Sequence, residues 1–192
     1  MTKVQTLLKA LESDRTMLDV QRRGDEAFNS FNIKSWKIKS RDQLLDCLSQ
    51  FYWHVDSHII DTKGMANPDP DYTKAMARDV VFKMYGDKGE KVAFDMASQG
   101  IEGGLYRVLK DFTAARVAYF TDNRLTALVA TFFKDTSVEE QLKAAEDYAK
   151  EYARFLPKEY SEPGAWDVKM HFFKILMYHP HLIKRMREMG KT

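Results

Sequence analysis

Two histidines four residues apart, His54 and His58, stand in the stretch FYWHVDSHIID, and Asp61 follows three residues later. In an α-helix each residue turns about 100° and rises ~1.5 Å, so these side chains fall within an arc of roughly 60°. Imidazoles spaced this way project over the same turn and can hold one divalent ion such as zinc, iron or manganese. One helix cannot complete the shell, because His54 and Asp61 lie ~10 Å apart along the axis while metal bonds are ~2 Å long. The missing ligands would come from a facing helix, and Asp167 with His171, again four apart, are the best donors. The competing reading is an imidazole at a core boundary, satisfied by a carbonyl or a carboxylate. Neither the Glu-x-x-His of di-iron bundles nor the His-Glu-x-x-His of zinc proteases occurs. A metal-dependent enzyme or sensor built on these five residues is therefore the alternative reading, and no catalytic residue is assigned.

The leading reading is a binding or regulatory protein. Ten methionines are many for 192 residues, and methionine lines adaptable surfaces as well as filling gaps in cores. Met84, Met96, Met170 and Met177, with Phe173, are the candidate lining of a groove for a small, partly apolar ligand or a protein partner. Cys47 has no cationic neighbour in sequence and no Gly-x-Ser-x-Gly occurs, so nucleophilic catalysis has little support. Gly103 and Gly104 before Arg107 resemble an anion-accepting helix start, but no strand precedes them and no Gly-Lys-Ser/Thr follows. The segment NIKSWKIKSR interleaves lysines with Trp36. A connection with a tucked tryptophan and wet lysines explains it as well as single-strand stacking does.

These residues need helices to position them, and helical periodicity covers most of the chain. Val4, Leu7, Leu8 and Leu11 mark a first helix, and a second runs from about Met17 to Phe28. Ser40 and Gln43 have capping-box spacing and open a helix reaching about Thr62, with Leu44, Leu48, Phe51, Val55 and Ile59 inward. Asp69 and Pro70 start the next, which Gly86 ends, and a short helix closes at Gly100. A further helix carries Leu105, Leu109, Phe112 and Arg116 on one face. Helix is favoured over a β-hairpin for residues 117–133, because a lone hairpin has no sheet to join. Ser137 and Glu140 cap a helix expected to bury Val138, Leu142, Ala145, Ala149, Tyr152 and Leu156. The stretch AWDVKMHFFKILMY is apolar nearly all round and should be central, with Pro180 breaking it before a last amphipathic helix. The fold class is thus all-α, a multi-helix bundle of one domain over residues 1–192.

Composition agrees and excludes several classes. Hydrophobic residues make up 44% and charged residues 30%, as in a folded globular protein. Thirty Lys and Arg against 28 Asp and Glu leave a net charge of +2, so no broad basic field invites nucleic acid. The lone cysteine rules out an intrachain disulfide and multi-cysteine zinc sites. The charged N-terminal stretch is not that of a secretory signal, and no run reaches the ~18 apolar residues of a membrane span. A soluble cytoplasmic protein is expected.

Overall fold

The computed structural model describes residues 2–152, 154–156 and 168–190 and, within these, all side chains but those of Glu102, Phe133, residues 168–171 and Phe173. Among the described residues the secondary structure is entirely helical: α1 (Lys3–Ser13), α2 (Arg15–Ser30), α3 (Arg41–Ile59), α4 (Pro70–Tyr85), α5 (Gly89–Gln99), α6 (Gly104–Lys134), α7 (Val138–Tyr152) and α8 (Val168–Glu188). Single 3-10 turns lie at Ile33–Ser35 and Ile101–Gly103. The chain is all-α, and residues 117–133 are the second half of one continuous helix rather than a hairpin. Its contacts group into two compact units, residues 17–121 and residues 1–16 with 122–192.

In the first of these units α3 is the organising element. Ser40 begins it as the spacing predicts: the Gln43 N–H donates to Ser40 Oγ and the Ser40 N–H donates to Gln43 Oε1, both at 3.2 Å. Two of the otherwise orphaned donors of a helix start are thereby satisfied. Leu44, Leu48, Phe51, Val55 and Ile59 are all buried, and α3 packs on α4. Burying each such side chain stabilises the fold by about 1.5–3 kcal/mol. The Asp69 carboxylate accepts from the Asp71 N–H at 2.8 Å and Pro70 takes the first helical position, which fixes the start of α4. Gly86, at φ 83°, closes it. The left-handed region is costly for any residue with a Cβ, so glycine stands here for a physical reason.

Gly24 has a different one. A Cβ built on it would lie 2.5 Å from Cγ2 of Val117, so α2 and α6 approach where only hydrogen fits between them. The sequence pattern gives no sign of this contact, because its cause lies 93 positions away.

In the second unit α8 packs on both α1 and α7. The first helix buries Leu7, Leu8 and Leu11 as expected, and Thr2 forms a capping box with Gln5. Two expectations are corrected. The buried face of α7 is Gln141, Ala144, Ala145 and Tyr148, while Val138 is 68% and Leu142 39% exposed. The helix is turned from the predicted orientation because small alanines allow close packing and the Tyr148 hydroxyl has a buried partner on α8. Pro180 does not end a helix either: α8 runs through it to Glu188. Proline removes one backbone bond, but Ile175, Leu176 and His179 before it and Leu182, Ile183 and Met186 after it are all buried, and this packing holds the helix together.

Candidate functional site

The histidine stripe of α3 is assembled, but with protein partners. His54 Nε2–H donates to the Ala27 carbonyl at 2.8 Å, with Ser30 Oγ 3.0 Å from the same nitrogen. His58 Nδ1–H donates to the His54 carbonyl at 2.7 Å, and the two ring centroids are 4.5 Å apart. Burial lowers the His54 pKa, with the neighbouring His58 adding to the effect and the Ala27 carbonyl opposing it. Asp61 does not join them. The helix ends at Ile59, short of the predicted Thr62, because the Ile60 N–H closes the last turn on the Asp56 carbonyl and Arg23 takes the Ile59 carbonyl. Asp61 is exposed, its carboxylate accepting from the Lys63 N–H at 2.9 Å. Asp167 lies outside the described residues, as does the side chain of His171. Among the described residues, no group of three or more His, Cys, Asp or Glu side chains is placed to hold a metal ion.

The candidate ligand lining divides in the same way. Met96 is buried in the core around α3, and Met84 packs against that core. Met177 is half-buried in the other unit, its sulfur 4.0 Å from the Thr126 hydroxyl. The side chains of Met170 and Phe173 fall outside those described. Cys47 is fully buried, and burial pushes its thiol up to about 12, which removes it as a nucleophile at neutral pH.

Sequence reasoning missed two clusters. The first is an internal ion pair. Arg116 donates from Nε and Nη2 to the two carboxylate oxygens of Asp56, at 2.9 and 2.7 Å, and both side chains are nearly excluded from solvent. The guanidinium carbon lies 4.8 Å from the Tyr52 ring centroid, 4.5 Å from that of Tyr119 and 5.2 Å from that of Phe120. Burial alone would lower the Arg116 pKa, but the bonds to Asp56 carry it upward. The available signal was Arg116 itself, a cation in line with Leu105, Leu109 and Phe112 and therefore in need of a buried anion.

The second cluster lies in the unit formed by the chain's two ends. A groove of about 370 Å³ is lined by α1, the end of α6 and α7. Val4, Leu8, Phe132, Ala144 and Tyr148 supply its apolar lining. Lys3, Glu140, Lys143, Asp147 and Glu151 supply charges of both signs. Lys3 donates to the Asp135 carbonyl at 3.2 Å, and Lys143 stands 4.0 Å from Asp147. The volume falls in the range that takes a small organic molecule.

Beside this groove sits a buried relay. His179 is 0% exposed; its Nε2 is 2.9 Å from Glu12 Oε1 and its Nδ1 is 2.8 Å from the Tyr148 hydroxyl. A carboxylate only accepts, so Nε2 carries hydrogen; Nδ1 of the neutral ring is then the acceptor and Tyr148 donates. Burial lowers the His179 pKa against the opposing pull of Glu12 and Glu151, and burial raises that of Tyr148. Both groups therefore stay neutral at pH 7. The Tyr152 ring packs edge-on to His179 and at a tilt to Tyr148. No family profile, curated protein or solved structure was found to match this chain.

Proposed function

We propose that this chain is a binding or regulatory protein that holds a small, partly apolar ligand in the groove between α1 and α7. The observation that carries this reading is the groove itself: an apolar lining of Val4, Leu8, Phe132, Ala144 and Tyr148 under a rim of both charge signs. Apolar lining supplies affinity, and a few rim charges orient a polar end. A molecule with a hydrocarbon or aromatic body and one ionic group matches that distribution. A cytoplasmic setting belongs to the proposal. A single, fully buried cysteine is compatible with it, and no helix among the described residues is long and apolar enough to cross a membrane.

The test is thermal melting of the full chain with medium-chain fatty acids, alkylamines and aryl carboxylates. A ligand that binds the folded state raises the melting temperature in a saturable way. At least one of these classes should do so, and the shift should vanish in Val4→Trp, which places a large ring at a half-buried position of the groove lining. Circular dichroism checks that the variant is folded. No shift with any class, or an equal shift in the variant, would overturn the reading.

A further inference from the structure

His179 is where three helices of one unit meet on a single titratable ring. It belongs to α8, it donates to Glu12 on α1, and it accepts from Tyr148 on α7. The two bonds respond oppositely to a proton. A proton arriving on Nδ1 turns that nitrogen into a donor, while Nε2 keeps its hydrogen and faces Glu12 as one half of an ion pair. The Tyr148 hydroxyl then meets a donor instead of an acceptor. Among the described residues it has no second acceptor, and the Tyr148 residue is only 2% exposed, so water does not replace the lost bond. The charged groups facing His179 are Glu12 from α1 and Glu151 from α7, with the Tyr148 and Tyr152 rings beside it. Burial disfavours the imidazolium and the two carboxylates offset this in part, so the ring takes its proton below the ordinary histidine range.

Glu151 and Tyr148 also line the groove, and α1 forms its other wall. We propose that the groove is gated by protonation of His179, which breaks the bond to Tyr148 and loosens the α7 wall while α1 stays fastened through Glu12. This regulatory role rests on the reading of the groove as a ligand site, but the gate has a signature that needs no ligand.

Hydrogen exchange of the full chain, corrected for the intrinsic pH dependence of amide exchange, reads that signature. Between about pH 7.5 and about pH 5, α7 amides from Gln141 to Tyr152 should lose protection by about tenfold or more, and α1 amides should keep theirs. In Tyr148→Phe the hydroxyl is gone, so α7 protection should be the same at both ends of that interval. A readout in the unmodified protein stands beside the variant: the His179 ring nitrogen shifts should show Nδ1 bare at the upper pH and protonated over the interval in which α7 opens. Unchanged α7 protection, parallel opening of α1, a full response in Tyr148→Phe, or an Nδ1 that stays bare while α7 opens would each overturn the gate. Failure of every compound class in the melting test, with the exchange signature present, would remove the ligand and leave the gate standing.

Discussion

Arg116 binds both carboxylate oxygens of Asp56, 60 positions earlier in the chain, inside a shell of Tyr52, Tyr119 and Phe120. The pair is two-pronged and dry, a geometry in which removing one partner strands the other charge. Asp56→Leu should therefore destabilise the protein by about 3–5 kcal/mol, and Arg116→Met by a similar amount. The double change Asp56→Leu with Arg116→Met should recover most of that loss, since no uncompensated charge remains. Urea unfolding of the four proteins checks this. A double variant as unstable as the sum of the singles would show that the pair does not act as a unit.

The closeness of α2 and α6 gives a prediction with a definite sign. Alanine is ordinarily the better helix former, so Gly24→Ala on an open helix surface would stabilise. Here the added methyl meets Val117 Cγ2 at 2.5 Å. Valine is stiff in a helix and cannot swing aside. Gly24→Ala should destabilise by about 1–2 kcal/mol, and shortening Val117 to alanine in the same protein should restore part of the loss. A gain in melting temperature for Gly24→Ala alone would contradict the contact.

The two half- or fully buried histidines set a pH dependence. The folded-state pKa values of His54 and His179 lie below the ordinary histidine value, chiefly through burial. The unfolded chain therefore binds protons that the folded chain does not as pH falls below about 6.5, and this pulls the equilibrium toward unfolding. Stability should be full above that value, decline as pH drops through it, and level off once the folded-state histidines also protonate. Unfolding free energies measured from about pH 8 to about pH 5 should show this slope. His54→Gln, whose amide nitrogen stands close to the place of Nε2 and can donate to the Ala27 carbonyl, should flatten it, and an unchanged slope would remove His54 from the account.

Local signals fixed the helix starts, and nonlocal contacts decided the rest. Ser40 with Gln43 and Asp69 with Pro70 act within one turn of chain, so they could be read directly and were found as expected. The inward face of α3 was legible because five large apolar residues repeat along it. On α7 the apolar residues are mostly small and point two ways, so its orientation was settled by the bond from Tyr148 to His179, 31 positions away. Pro180 looked like a stop because its local effect is disruptive, whereas burial on both sides outweighs one missing bond. The imidazoles of α3 attracted attention by their spacing, yet their nearest partners are main-chain carbonyls. His179, with no patterned neighbour, holds the more unusual environment.

One compact unit is drawn from an unbroken stretch, residues 17–121, while the other joins residues 1–16 to residues 122–192. The second unit needs residues from both stretches before its contacts can close. The middle stretch is continuous in sequence, so the contacts within its own unit can form without the later residues. The leucines of α1 are synthesised long before the face of α8 that packs against this helix. Leu7, Leu8 and Leu11 therefore wait for that face while the whole intervening stretch is made.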